Sequence, residues 1–234
     1  MGLPWGTVAD FLVGIGTLIL AAVALFSDVI RSWWRRPILS ASIRTEPPDC
    51  VSVPIANVQT GVVLANAIYL RLWIENREGR DAAQNVEVYA RRLERMRADG
   101  IWERVPTFPP MNLKWSDLGE IYFPVIGAGM GKHCDLAHII DPAQRAGRSQ
   151  AEFRGENNPQ LNLTAQQCAF SFDLMVAPNH RGHIVGPGRY RIEVVVAAQN
   201  ARPEPHTFEI NLSGPWYPNE ADMLRDGVGV QVIN

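Results

Sequence analysis

Cysteine is scarce in this chain, and what there is makes no framework. Cys50, Cys134 and Cys168 are an odd number spread along 234 residues, which excludes a small disulfide-stapled domain and fits a reducing compartment. An excess of one charge is lacking too. Against 22 Lys and Arg stand 24 Asp and Glu, a formal net charge of -2, so the strongly basic face that nucleic-acid binding needs is not expected. No P-loop, dinucleotide fingerprint or nucleophile elbow occurs. Gly127, Gly129 and Gly131 alternate and Lys132 follows them, but a phosphate cradle also needs a helix behind its lysine. No constellation of catalytic groups stands out, so neither an enzyme nor a cofactor is expected.

What is present begins with an apolar run. Residues 11–27 read FLVGIGTLILAAVALFS, without a charge. Residues 8–9 and 29–30 extend the run to the roughly 20 residues that a bilayer core requires, with Asp10 and Asp28 falling near the two interfaces. Trp33 and Trp34 followed by Arg35 and Arg36 make the aromatic and cationic flank found where a helix leaves lipid, and Trp5 suits the other interface. Pro37 ends the helix, because proline disfavours helical geometry in the residue before it. Ala22-Val23-Ala24 resembles a signal-peptide cleavage site, but such a peptide carries its positive charge before the apolar core, and here Arg31, Arg35 and Arg36 come after. The same arginines place the C-terminal domain in the cytoplasm, the helix being a single pass of the inner membrane. Asp10, Gly14, Thr17, Ala21, Ala24 and Asp28 repeat on one small or polar face. Small residues let backbones approach in lipid, so Gly14, Thr17, Ala21 and Ala24 are expected to mediate self-association.

After Pro37 the apolar period changes to two. Residues 38–43, 68–75, 86–90, 170–176, 190–196 and 208–212 alternate, with Leu70, Leu72, Ile74, Phe170, Phe172, Leu174, Ile192 and Val194 turned toward a core. Turn chemistry at residues 78–81, 98–100 and 186–188 separates the runs. Residues 106–166 are less regular: strands are expected near Leu113, 121–126 and 136–140, joined by long loops that include the polar run 154–160. This makes an all-β sandwich or barrel over residues 37–214, preceded by the transmembrane helix in 1–36 and followed by a tail, 215–234, with a short helix at 219–225.

Two segments resemble immunoglobulin-like β-sandwich modules. LRLWIENREGRDAAQNVEVYARRL (70–93) is similar to the strand, turn and valine-rich return strand of bacterial sandwich modules. GPGRYRIEVVVAA (186–198) is similar to a turn feeding a late strand that begins at a tyrosine. The disulfide and buried tryptophan of antibody domains are not evident. The whole layout resembles uncharacterised bacterial single-pass membrane proteins with an N-terminal helix and a cytoplasmic immunoglobulin-like sandwich, some of which serve antiphage defence.

His133, Cys134, Asp135 and His138 include zinc-ligand types, but without the second ligand pair of a zinc motif, and no metal is expected. Asn179, His180, Arg181, Gly182 and His183 form a polar loop whose His180, Arg181 and His183 could receive an anionic ligand. Arg91, Arg92, Arg95 and Arg97, interrupted by Glu94, read as a solvated strand end. The expected function is a membrane-anchored interaction or sensor module that self-assembles through its helix, with the lipid bilayer and an unidentified cytoplasmic protein or small ligand as partners. The alternative is a structural membrane anchor for a soluble partner.

Overall fold

The computed structural model describes residues 5–57, 59–116, 118–143, 163 and 167–233, with the side chains of 5–7, 25, 28–33 and 64 outside that description. The polar run 154–160 and the side chains of Trp5, Asp28, Arg31 and Trp33 therefore lie outside the described residues.

An N-terminal helix, α1 (Trp5–Arg35), precedes two antiparallel sheets packed face to face. The first sheet runs β1 (Leu39–Ser42), β3 (Val63–Asn76), β9 (Gly131–Ile140), β10 (Phe170–Phe172), β11 (Ile184–Val185); β2 (Cys50–Ala56) also pairs with β3 and β7 (Lys114–Trp115) with β9. The second runs β14 (Val228–Ile233), β13 (Glu204–Leu212), β12 (Gly188–Ala197), β4 (Ala83–Met96), β5 (Trp102–Arg104); β6 (Met111–Asn112) and β8 (Phe123–Ile126) pair with β4. The described residues are mostly β-structure, and the two sheets packed together make the domain a β-sandwich. Leu70, Leu72 and Ile74 of β3 face Val86, Val88 and Ala90 of β4 and Ile192 and Val194 of β12 in one core. The eight side chains that the alternation turned inward are all buried there.

Two breaks in that alternation are β-bulges, each setting two residues opposite one. On β4, Arg92 pairs with Glu193 and Ala90 with Val194, leaving Arg91 as the extra residue. Arg91 and Arg92 both point to solvent in consequence, and both reach Glu193, at 2.7 and 3.4 Å. On β9, Leu70 pairs with Ala137 and Arg71 with Asp135. Leu136 and Ala137 are therefore both buried, and Asp135 and His138 come onto one face although three residues apart.

The 170–176 strand shortens to Phe170–Phe172, because Leu174 leaves for a single bridge to Leu113. The segment after 215 begins with a short helical turn. Asn219 caps a helical turn, Glu220–Asp222, that continues into a π turn, Met223–Gly227. β14 then pairs with β13 from Val228 to Ile233, so the C-terminal residues complete the second sheet. β2 contains Pro54, tolerated because this strand lies at an edge, where a missing N–H breaks no ladder.

The passage from β3 to β4 carries the chain from one sheet to the other. Asn76 is buried there, its amide donating to the carbonyls of Asp81 at 2.8 Å and Ile126 at 3.2 Å. Gly79, at φ 74, lets the turn reverse in a conformation that a side chain would resist. At the far end of the sandwich the Tyr190 hydroxyl donates to the Gly186 carbonyl at 2.9 Å, tying the start of β12 to the turn before it.

Candidate functional site

Among the described residues, the contacts of α1 with the sandwich lie at its foot. The Asp81 N–H donates to the Arg35 carbonyl at 2.7 Å, and the Arg77 N–H to the Ile38 carbonyl at 2.9 Å. Arg35 also pairs with Asp81 at 3.3 Å, and the Arg80 guanidinium donates to the Trp34 carbonyl. Above this foot the described side chains stand clear of both sheets: Phe11 is 67% exposed, Leu18 70% and Leu20 71%. Gly14, Thr17, Ala21 and Ala24 are exposed as well. The Thr17 hydroxyl donates to its own helix, at the Val13 carbonyl, 2.9 Å away, and a β-carbon built at Gly14 would meet nothing. Of the expected interfacial group, Trp34 and Arg35 are exposed and Arg36 half-buried. Among the described residues no helix is long and apolar enough to cross a membrane; the exposed apolar side chains described on α1 run from Val8 to Phe26, with Trp34 beyond them.

The first sheet carries the densest polar chemistry on its outer face. Asp49 is buried and accepts from the Arg44 N–H at 3.0 Å, the Arg44 Nε at 3.2 Å and the His133 Nε2 at 3.2 Å. One strand position along, Asp135 accepts from the Ser116 hydroxyl at 2.6 Å and pairs with Arg71 at 3.3 Å. Burial holds the Asp135 carboxyl above its ordinary range, against the opposing pull of the Ser116 hydrogen bond. His138 Nδ1 then bonds both oxygens of Asp173, at 2.9 and 3.0 Å. Two carboxylate–histidine pairs therefore flank a third carboxylate on one face.

Trp73 of β3, between Ser42 of β1 and His133 of β9, closes this row, its ring edge-on to His133 at 4.8 Å. The indole lies across Gly131, where a β-carbon would come within 2.3 Å of it. Ser42, Arg44, Pro48, Asp49, Trp73 and His133 line a cleft of about 320 Å³. An aromatic wall, an exposed guanidinium and a histidine oriented by a buried carboxylate give this cleft the means to hold a small polar ligand. Asp49, Arg44 and Trp73 went unmarked in the sequence.

The His133, Cys134 and His138 trio does not converge. Cys134 points into the core and donates to the Lys114 carbonyl at 3.2 Å, whereas both histidines are on the outer face. Burial pushes its thiol well above the ordinary value, with Asp135 and Asp173 adding to the shift. The polar loop is also divided. His180 stays at the surface, its Nδ1 accepting the Gly182 N–H at 3.0 Å, and Arg181 takes a left-handed turn at φ 56. Gly182 packs against the Thr107 carbonyl so closely that a β-carbon would lie 1.7 Å from its oxygen. His183 turns inward, 3% exposed. Its Nδ1 has no hydrogen-bond partner among the described residues, and burial lowers its pKa to about 4, helped by Arg181 and His138.

No family model, curated protein or solved structure matches this chain. The functional reading rests on its own geometry.

Proposed function

We propose that this chain is a membrane-anchored interaction or sensor module, with α1 in the bilayer and the sandwich as the binding body on the cytoplasmic side. One observation carries the reading: a helix of 31 residues whose described apolar side chains are exposed while the sandwich completes its own core without them. Burying a valine, leucine, isoleucine or phenylalanine is worth about 1.5–3 kcal/mol, so the ten such side chains exposed on α1 demand a cover. A helix of this length spans about 46 Å at 1.5 Å per residue. Residues 8–24 alone give about 25 Å, short of a hydrocarbon core of about 30 Å, and residues 25–30 make up the difference.

Arg31, Arg35 and Arg36 after the apolar run favour a cytoplasmic sandwich in a single-pass inner-membrane protein. The exposed face of Gly14, Thr17, Ala21 and Ala24 suits close packing against another copy of α1. The Tyr190–Gly186 bond is the local feature that most favours an immunoglobulin-like sandwich, where a tyrosine at the start of a late strand ties back to the preceding turn. The resemblance to bacterial defence proteins of this layout rests on that reading.

Alkaline extraction of membranes from cells expressing the full chain tests the anchor. The protein is expected in the membrane pellet, and a reporter that is active only outside the cytoplasm is expected to be silent when fused at Asn234. Release into the supernatant refutes it. In the same membranes, Gly14→Leu with Ala21→Leu is expected to abolish crosslinked oligomers while leaving insertion intact; identical crosslinking in wild type and variant removes self-assembly from the proposal.

A further inference from the structure

Beyond the anchoring helix, we infer that the end of the sandwich around the foot of α1 is itself a lipid-contact surface, fitted to an anionic bilayer. This rests on the reading of α1 as a membrane anchor and extends it to the folded domain.

Only Arg36, Pro37 and Ile38 separate α1 from β1, and the 77–81 turn bonds the chain on both sides of that link. With α1 in a bilayer, this end of the sandwich is held in the headgroup layer and has no slack to leave it. The same end is unusually apolar. Among the described residues, ten large apolar side chains outside α1 are exposed, and five of them lie within 118–130: Leu118, Ile121, Tyr122, Val125 and Met130, the last three each more than half exposed.

The strand register shows where they sit. Val125 pairs with Gln84 and Ile126 with Ala83, at the start of β4, next to the turn that grips α1. The Asn76 N–H donates to the Met130 carbonyl at 3.0 Å, and the Gly129 N–H to the Asn76 carbonyl at 2.8 Å, which sets the Met130 turn beside the same corner. Tyr122 borders a cleft with Ala198 and Gln199, and Gln199 bonds the Gln84 carbonyl at 2.9 Å.

Cations share this end. Arg36, Arg77 and Arg80 belong to the foot and its turn, and the Lys132 ammonium lies 5.3 Å over the Phe123 ring. Of the acidic groups in the turn, Asp81 is paired with Arg35, while Glu78 is exposed beside Gly129. Apolar side chains and a tyrosine mixed with Lys and Arg are the chemistry of the bilayer interface, and cations held there are drawn to anionic headgroups.

Single cysteines read the surface directly, because Cys50, Cys134 and Cys168 are buried and leave an introduced thiol as the reactive one. The full chain carrying Met130→Cys, Tyr122→Cys, Ile101→Cys or Leu18→Cys is labelled with a fluorophore. Each is reconstituted into phosphatidylcholine vesicles with or without phosphatidylglycerol and with nitroxide-bearing lipids. Labels at 130 and 122 are expected to be quenched by headgroup nitroxides, more strongly with phosphatidylglycerol, while the label at 101, on the opposite end, is not. Arg77→Gln is expected to weaken the headgroup contact about fivefold, the effect of removing one cation near an anionic surface. If the label at 18 is quenched by acyl-chain nitroxides but 130 and 122 behave like 101, the lipid-contact surface is refuted and the anchor stands. Absence of quenching at 18 refutes the anchor itself. Shielding of 130 from an aqueous quencher without quenching by lipid nitroxides assigns the surface to a second copy or a protein partner, and likewise overturns the inference.

Discussion

Acidification should weaken this fold through one histidine. His183 is 3% exposed and its pKa is lowered from 6.5 to about 4, chiefly by burial and then by Arg181 and His138, with Asp173 opposing. The folded value lies below the unfolded one, so the unfolded chain takes up the proton first as pH falls. The stabilisation from a neutral His183 is complete above pH 6.5 and is lost progressively toward pH 4. A shift of that size removes about 2 kcal/mol between pH 7.5 and 5, and about 3 kcal/mol once both states are protonated. Urea unfolding of the full chain in mild detergent at pH 7.5, 6 and 5 measures it. His183→Gln keeps a polar side chain but cannot titrate, so its stability should fall by about 2 kcal/mol less than wild type over the same interval. His206, also lowered by burial, and Asp135, raised by burial, are present in both proteins and cancel in the difference. Parallel pH profiles for wild type and variant would refute the reasoning and return His183 to an ordinary solvated state.

Gly131→Ala should destabilise the sandwich by about 1–3 kcal/mol, since its β-carbon falls within 2.3 Å of the Trp73 indole. Most of that loss should vanish in a Trp73→Leu background, and a double-mutant cycle with no coupling would contradict the contact. The three thiols should resist iodoacetamide in the native protein, because Cys50 is held up at about 12 by burial and by Asp49, and Cys134 is buried and raised as well. Mass spectrometry should find alkylation only after denaturation; native labelling at pH 8 would show the core more open than described.

The long strands were legible because their period survives over many residues. β3 and β12 alternate far enough for inward side chains to be named one by one, and β4 and β13 far enough to be read as strands. β5, β6, β7 and β11 are two or three residues each, too short to hold a period. β14 follows a helical turn and draws its definition from pairing with β13, a contact outside its own segment. Bulges hide in a sequence as lapses: the paired Arg91-Arg92 and Leu136-Ala137 interrupt alternation without ending their strands. The outer-face site was illegible for a different reason. Asp49 and His133 stand 84 positions apart, as do other partners brought together only by sheet order. His133 and His138 drew notice as ligand types, but nothing local in the chain shows that a bulge puts them on one side and Cys134 on the other.

The corner at Asn76 gives α1 an unusual mechanical hold. Arg35 and Trp34 are bonded to the turn between β3 and β4, and Asn76 at the head of that turn bonds across to Asp81 and Ile126. β3 belongs to one sheet and β4 to the other. A torque on the helix therefore enters both layers at a single joint, and it can rock them as one rigid block more easily than it can slide one layer over the other.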